Sequence, residues 1–134
     1  MTTPAERYEH LPKPEKLTAD YMRDVLEQYY NRKWNPNKEA VIAVKSWRDW
    51  PMVVRMPDIQ SDYTVMIDEG QVLSVKLGLP AQPRILSIML AETMQRIYYD
   101  ETTSAIELIA GRIKVRGNET ERRRMLAAIS YLTW

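Results

Sequence analysis

The residues best suited to binding chemistry are six basic side chains near the C-terminus. They are Arg112, Lys114, Arg116, Arg122, Arg123 and Arg124. The first three alternate with Ile113 and Val115, which predicts a strand with one cationic and one apolar face, because strand side chains point alternately to opposite sides. The three arginines that follow lie in the first turn of a predicted helix, where each cation opposes the helix dipole by about 0.3–1 kcal/mol. Such a group is suited to a phosphate, a lipid headgroup or an anionic membrane surface, although Glu119 and Glu121 are placed to neutralise the arginines instead.

Residues that could catalyse a reaction are sparse. His10 is the only histidine and lies in a proline-containing segment near the N-terminus. The adjacent carboxylates Asp68-Glu69 and Asp100-Glu101 fall at predicted turns, where acidic residues are common. The sequence contains no cysteine, serine elbow, glycine-rich phosphate loop or cluster of metal ligands. We therefore expect a protein that is not an enzyme and that holds no cofactor and no metal ion.

Methionine is unusually frequent, with eight residues, whereas phenylalanine is absent. Flexible thioether side chains adapt to ligands of irregular shape and are therefore suited to lining an apolar cavity. They are equally suited to filling gaps in an ordinary core. The composition leaves both interpretations open.

The N-terminal third of the chain predicts an arm followed by two helices. Residues 1–16 contain three prolines among charged residues, which disfavours regular structure. We therefore predict a flexible arm there and one domain over 17–134. Thr18 is placed to cap a helix near 19–31, and an Asn-Pro-Asn signal precedes a second helix near 37–48.

The middle of the chain changes to the period of strands. Predicted strands cover 52–56, 63–67, 72–77 and 85–90. Turn signals at Pro57-Asp58 and at Asp68-Glu69-Gly70 make the first three strands an antiparallel meander. The fourth is almost wholly apolar, so we expect it to be buried on both faces.

Helical patterns return in the C-terminal part, around the cationic strand. One helix is predicted around Met94, a second after a capping box of Ser104 and Glu107, and a third after a cap at Asn118. The complete order predicts an α+β fold, in which helices cover one face of a mixed five-stranded sheet.

The segment over 111–118 closes the strand region and reads Gly-Arg-Ile-Lys-Val-Arg-Gly-Asn. Together with the apolar strand led by Pro83 and the order of elements, it resembles the sterol carrier protein type-2 family, well over 50–134 and loosely over 17–49. In that family the segment commonly reads Gly-Lys-hydrophobic-Lys-hydrophobic-Lys-Gly-Asp, so this chain has conservative variants of it. The chain differs at 100–102, where Asp-Glu-Thr replaces a turn that often contains glycine. It also lacks the C-terminal Ser-Lys-Leu type signal of peroxisomal members.

The resemblance implies an apolar tunnel between the sheet and the helices. The residues expected to line it are Met52, Val54, Met56, Met94, Ile97, Tyr98, Ile106, Ile109, Met125 and Ile129. Members of the family bind or move fatty acyl chains, fatty acyl-CoA, sterols or other lipids, so a lipid is the expected partner. The alternative is a scaffold or accessory subunit of an enzyme of lipid or quinone metabolism, with a collapsed cavity.

The length and composition of the chain indicate its domain number and the classes of partner it is suited to bind. A length of 134 residues suits one domain, and a net charge of +1 argues against a nucleic-acid-binding protein. The absence of cysteine and of any apolar run of about 18 residues leads us to expect the cytoplasm. Three tryptophans, Trp47, Trp50 and Trp134, are suited to covering the core, sealing a cavity or meeting another subunit, which leaves a homodimer open.

Overall fold

A five-stranded sheet with helices on one face makes up the computed structural model, which describes residues 10–134. The strands are β1 Trp50–Met56, β2 Ser61–Asp68, β3 Gln71–Leu77, β4 Ile85–Ile88 and β5 Lys114–Arg116. Their order in the sheet is β3-β2-β1-β4-β5. The first three strands form the predicted antiparallel meander, β4 pairs with β1 in parallel, and β5 pairs with β4 antiparallel. The predicted α+β fold with a mixed sheet is therefore confirmed.

The helices come before and after the meander. They are α1 Ala19–Tyr29, α2 Lys38–Ala43, α3 Ala91–Tyr98, α4 Ser104–Ile109 and α5 Glu119–Ser130. A π-helix, Tyr30–Trp34, continues α1, and a 3-10 helix, Pro57–Ile59, joins β1 to β2. Two predicted helix caps are confirmed. The Thr18 hydroxyl accepts a hydrogen bond from the Tyr21 backbone N–H at 3.2 Å. The Asn118 side-chain oxygen accepts one from the Glu121 backbone N–H at 2.9 Å.

Two predicted elements are shorter than the sequence pattern indicates. The second helix ends at Ala43, because the chain turns toward the sheet and the Trp47 carbonyl accepts from the Glu69 backbone N–H at 2.6 Å. The strand predicted over 85–90 ends at Ile88, and its side chains are buried on one face but only half-buried on the other. The prediction that this strand is buried on both faces was therefore wrong, because the helices pack against one side of the sheet only.

The turn between β2 and β3 fastens the sheet to the helices. Glu69 and Gly70 both adopt positive φ, at 50° and 85°, as the predicted tight hairpin requires. A Cβ atom at Gly70 would lie 2.2 Å from the Val41 carbonyl oxygen, so only glycine fits against α2. The Trp34 indole N–H donates to the Gly70 carbonyl at 2.8 Å, which joins the π-helix to the same turn.

The segment before α1 contacts the domain through Leu11. Its backbone N–H donates to the Tyr98 hydroxyl at 2.7 Å, and its carbonyl accepts from the Tyr99 hydroxyl. Residues 1–9 of the predicted arm lie outside the described residues, and the boundary at residue 16 stays a prediction. Within 10–134, no helix combines the length and the apolar character that a membrane span requires.

Candidate functional site

A small interior cavity lies between the sheet and the helices, where the resemblance places a tunnel. Its volume is about 20 Å³, which is room for about one water molecule. Pockets that hold drug-sized ligands usually measure about 300–1,000 Å³. The side chains around this cavity would therefore have to move before it could hold a lipid chain, and the open tunnel stays a prediction.

One wall of the interior cavity consists of methionine. Met52 comes from β1, Met89 from the residue after β4, Met94 from α3 and Met125 from α5. All four side chains are buried. The Ser87 hydroxyl lies 3.8 Å from the Met52 sulfur. We call these four residues the methionine wall, and packing is the main force that holds it.

A second wall of the cavity is aromatic and is held by hydrogen bonds. Tyr29, Tyr30 and Trp34 line it, and we call them the aromatic wall. The hydroxyls of Tyr29 and Ser104 share a hydrogen bond of 2.5 Å, which joins α1 to α4. Burial raises the pKa of both tyrosines well above the ordinary value, so both phenols are neutral at physiological pH.

Solved structures identify this architecture. UbiJ-SCP2, a ubiquinone synthesis protein, superimposes with a TM-score of 0.55 at 13% identity, covering 87% of this chain and 94% of that one. This chain has the sterol carrier protein 2 fold. The palmitated SCP2L2 of Aedes aegypti superimposes with a TM-score of 0.53 at 15% identity, over 88% of this chain and 99% of that one. The fold expected from the sequence resemblance is thereby confirmed.

The sterol carrier protein 2 fold also occurs inside a larger enzyme. The stereoselective inverting sec-alkylsulfatase Pisa1 from Pseudomonas sp. matches with a TM-score of 0.52 at 15% identity, over 88% of this chain but 17% of its own. No protein-family model and no curated protein matches this chain. Because one fold can support unrelated activities, the activity has to be inferred from the side chains.

The structure separates the ten residues predicted to line the tunnel into three groups. Four of them line the interior cavity: Met52, Met94, Met125 and Ile129. Four are buried elsewhere in the core: Val54, Met56, Ile97 and Tyr98. The other two, Ile106 and Ile109, are 54% and 87% exposed, so the prediction that they face the interior was wrong.

A buried carboxylate explains the position of these two isoleucines. Thr103, not Ser104, caps α4, since its hydroxyl accepts from the Ile106 backbone N–H at 3.2 Å. Glu107 points inward instead of completing a capping box, and its residue is 1% exposed. Its hydrogen bond from Arg112 lowers its pKa, and Arg96 lies 3.6 Å away. These ion pairs turn α4 so that its isoleucines face outward.

Several cavity residues were not predicted as part of the site. Ile113 was assigned to the apolar face of the cationic strand, and Met89 to the end of the apolar strand before it. Their alternation with strand neighbours was the signal that could have placed them in the interior. The aromatic wall belongs to 17–49, where the resemblance to the family is loose.

The basic residues form two groups with different surroundings. Arg122 and Arg123 pair with Glu119 at 3.4 and 2.8 Å, and Arg124 donates to the Ser46 hydroxyl at 2.8 Å. Hydrogen bonding from Arg123 is the main cause of a lowered pKa at Glu119. This geometry favours neutralisation of Arg122 and Arg123 by Glu119. Glu121 instead pairs with Arg84 at 3.1 Å.

The basic residues on the cationic face of β5 have fewer ion-pair partners among the described residues than the arginines at the start of α5. Lys114 and Arg116 are exposed, and neither forms an ion pair with a residue that the structure describes. Arg112 shares the buried Glu107 carboxylate with Arg96. Positive charge is therefore more available here than at the start of α5. Binding of an anionic headgroup or membrane surface by either group stays a prediction.

The acidic residues at the predicted turns take part in local contacts. Asp100, with a φ of 61°, pairs with Lys33 and lies 3.7 Å from the His10 imidazole. The Asp68 carboxylate accepts from the Asp49 backbone N–H at 3.0 Å. Within residues 10–134, no group of three or more histidine, cysteine or acidic side chains is arranged to hold a metal ion.

Proposed function

We propose that this chain binds the apolar chain of a lipid between the sheet and α5. The observation that supports this function is the convergence of the methionine wall, whose members come from separate parts of the fold, on one interior cavity. Methionine side chains can change rotamer to accommodate irregular ligands. A palmitated relative of the same fold, from Aedes aegypti, adds support for a fatty acyl ligand.

Opening the cavity has a free-energy cost that the ligand must offset. The cavity of about 20 Å³ must grow by more than tenfold to hold a long chain. Each buried CH₂ group of a ligand contributes about 0.8 kcal/mol. Short chains are therefore expected to bind weakly and long chains tightly, because only a long chain offsets the repacking of the methionine wall.

The second candidate is an accessory or scaffold role with a permanently filled interior. The size of the cavity favours it, as does the similarity to UbiJ-SCP2, a ubiquinone synthesis protein. In this case the methionines are simply core residues. The two candidates differ in one measurable property, which is the binding of lipid by the isolated chain.

Two measurements test the proposed function. Mass spectrometry of lipids extracted from natively purified protein identifies any ligand that is retained, and titration with a fluorescent fatty acid measures stoichiometry. We expect one probe per chain, displaced by unlabelled lipid. Failure of fatty acyl, sterol and isoprenoid probes to bind would favour the accessory role.

Substitution at Ile129 tests where the ligand lies. Ile129 lines the cavity on α5, and the adjacent Ser130 is exposed. Ile129→Trp should fill the space and weaken probe binding by about tenfold or more, an effect of at least about 1.4 kcal/mol. Ser130→Trp adds the same side chain outside and serves as the matched control. Full binding by Ile129→Trp would show that α5 does not form a wall of the binding site.

A further inference from the structure

A surface pocket of about 240 Å³ shares a residue with the interior cavity. It lies where β4 ends, between the start of α3 and the turn that joins α4 to β5. Ile88, Leu90 and Gly111 contribute to its lining. Met89 also lines it, and Met89 therefore borders both the surface pocket and the interior cavity.

The position of Met89 allows its side chain to move while its backbone stays in place. Its backbone N–H donates to the Arg55 carbonyl at 3.0 Å, which continues the sheet hydrogen bonding beyond β4. Its side chain is held by packing alone, and the residue is 6% exposed. Rotation about its unbranched side chain can open a passage without breaking a backbone hydrogen bond.

The chemistry around the pocket suits an amphiphile with an anionic end. Pro57, Ile88 and Leu90 supply apolar surface, and Leu90 is 46% exposed. Arg112 and Lys114 supply the charged part of the rim. Arg112 and Arg96 together face one carboxylate, that of Glu107, and Lys114 has no ion-pair partner among the described residues. The charged residues that line the pocket are therefore both basic.

We infer that this surface pocket is the entrance for a single-chain amphiphile with an anionic oxygen headgroup, and that Met89 is its gate. The alkyl chain passes Met89 into the interior cavity, and Lys114 and Arg112 hold the carboxylate or phosphate at the mouth. This inference rests on the proposed function, because it requires that the interior accepts a lipid chain.

Binding kinetics of a fluorescent fatty acid test the gate. Met89→Ala should raise both the association and the dissociation rate by about threefold or more, with a smaller change in Kd, because a gate limits both directions equally. Met89→Ile, with a stiff branched side chain, should slow both rates. Met66→Ala is the control, because Met66 lies on β2 among residues of the other sheet face.

Three probes of equal chain length test the headgroup site: a fatty acid, an alkyl phosphate and an alkanol. Lys114→Glu should weaken the two anionic probes by about threefold to tenfold and leave the alkanol unchanged, as expected for a solvent-exposed charge pair. A loss confined to one anion identifies which headgroup is preferred. Lys76→Glu, at an exposed lysine on β3, is the matched control. Equal losses in Lys114→Glu and Lys76→Glu would overturn the headgroup assignment.

The outcomes separate this inference from the proposed function. If the parent protein binds none of the probes, both are wrong. If the parent binds but both Met89 variants keep parental rates, as Met66→Ala does, lipid binding stands and the entrance at this pocket is wrong.

Discussion

The two walls of the interior cavity are held in place by different forces. The aromatic wall is anchored by hydrogen bonds, from Trp34 to the Gly70 carbonyl and between Tyr29 and Ser104. The methionine wall depends mainly on packing. Loss of a buried hydrogen-bond partner costs about 1–3 kcal/mol, whereas volume-conserving apolar exchanges usually cost under about 1.5 kcal/mol. We therefore predict that any opening of the interior occurs at the methionine wall.

The largest expected effect concerns the anchor of the aromatic wall. Trp34→Ala should lower the free energy of unfolding by about 3–5 kcal/mol, because it leaves a large cavity and removes the bond to Gly70. Met94→Leu, on the methionine wall, should cost under about 1.5 kcal/mol. Urea unfolding of both variants checks the comparison. A loss for Trp34→Ala no larger than that for Met94→Leu would contradict the role of Trp34 as the anchor of the aromatic wall.

A smaller effect is expected at the hydrogen bond between α1 and α4. Tyr29→Phe leaves the buried Ser104 hydroxyl without its partner and should cost about 1–3 kcal/mol. Adding Ser104→Ala removes the unpaired group, so the double variant should recover part of the loss. Strict additivity in this double-mutant cycle would contradict the role of the hydrogen bond.

Glu107, which orients the helix that contains Ser104, should make the free energy of unfolding depend on pH. The side-chain hydrogen bond from Arg112 is the main cause of a lowered pKa of Glu107 in the folded state. The stabilisation is therefore complete above the unfolded pKa of about 4.3 and is lost as pH falls through the lower folded pKa. Urea unfolding from pH 7 to pH 3 should show a smaller acid-dependent loss for Glu107→Gln than for the parent. Parallel curves would exclude Glu107 as a source of acid sensitivity.

Local signals predicted much of the fold, and contacts between distant residues explain the errors. Thr18 and Asn118 cap helices through neighbours in the chain, and Gly70 is required by a two-residue turn, so the sequence pattern predicted all three. The orientation of α4 depends on Glu107 meeting Arg96 of α3 and Arg112 of the segment after α4, and both partners lie outside α4 itself. No helical period contains that information. The set of residues that line the cavity likewise depends on how Met89 and Ile113 pack against other elements. The alternation of side chains along a strand indicates which face they occupy but not what they contact.

The most direct test of lipid binding at the methionine wall is NMR of protein labelled at the methionine methyl groups, titrated with palmitate. We predict that the methyl signals of Met52, Met89, Met94 and Met125 shift or broaden as palmitate binds. Met66, which is half-buried on the opposite face of the sheet, should be unaffected. Unchanged signals from the four wall methionines at saturating palmitate, or changes confined to Met66, would contradict the proposed site.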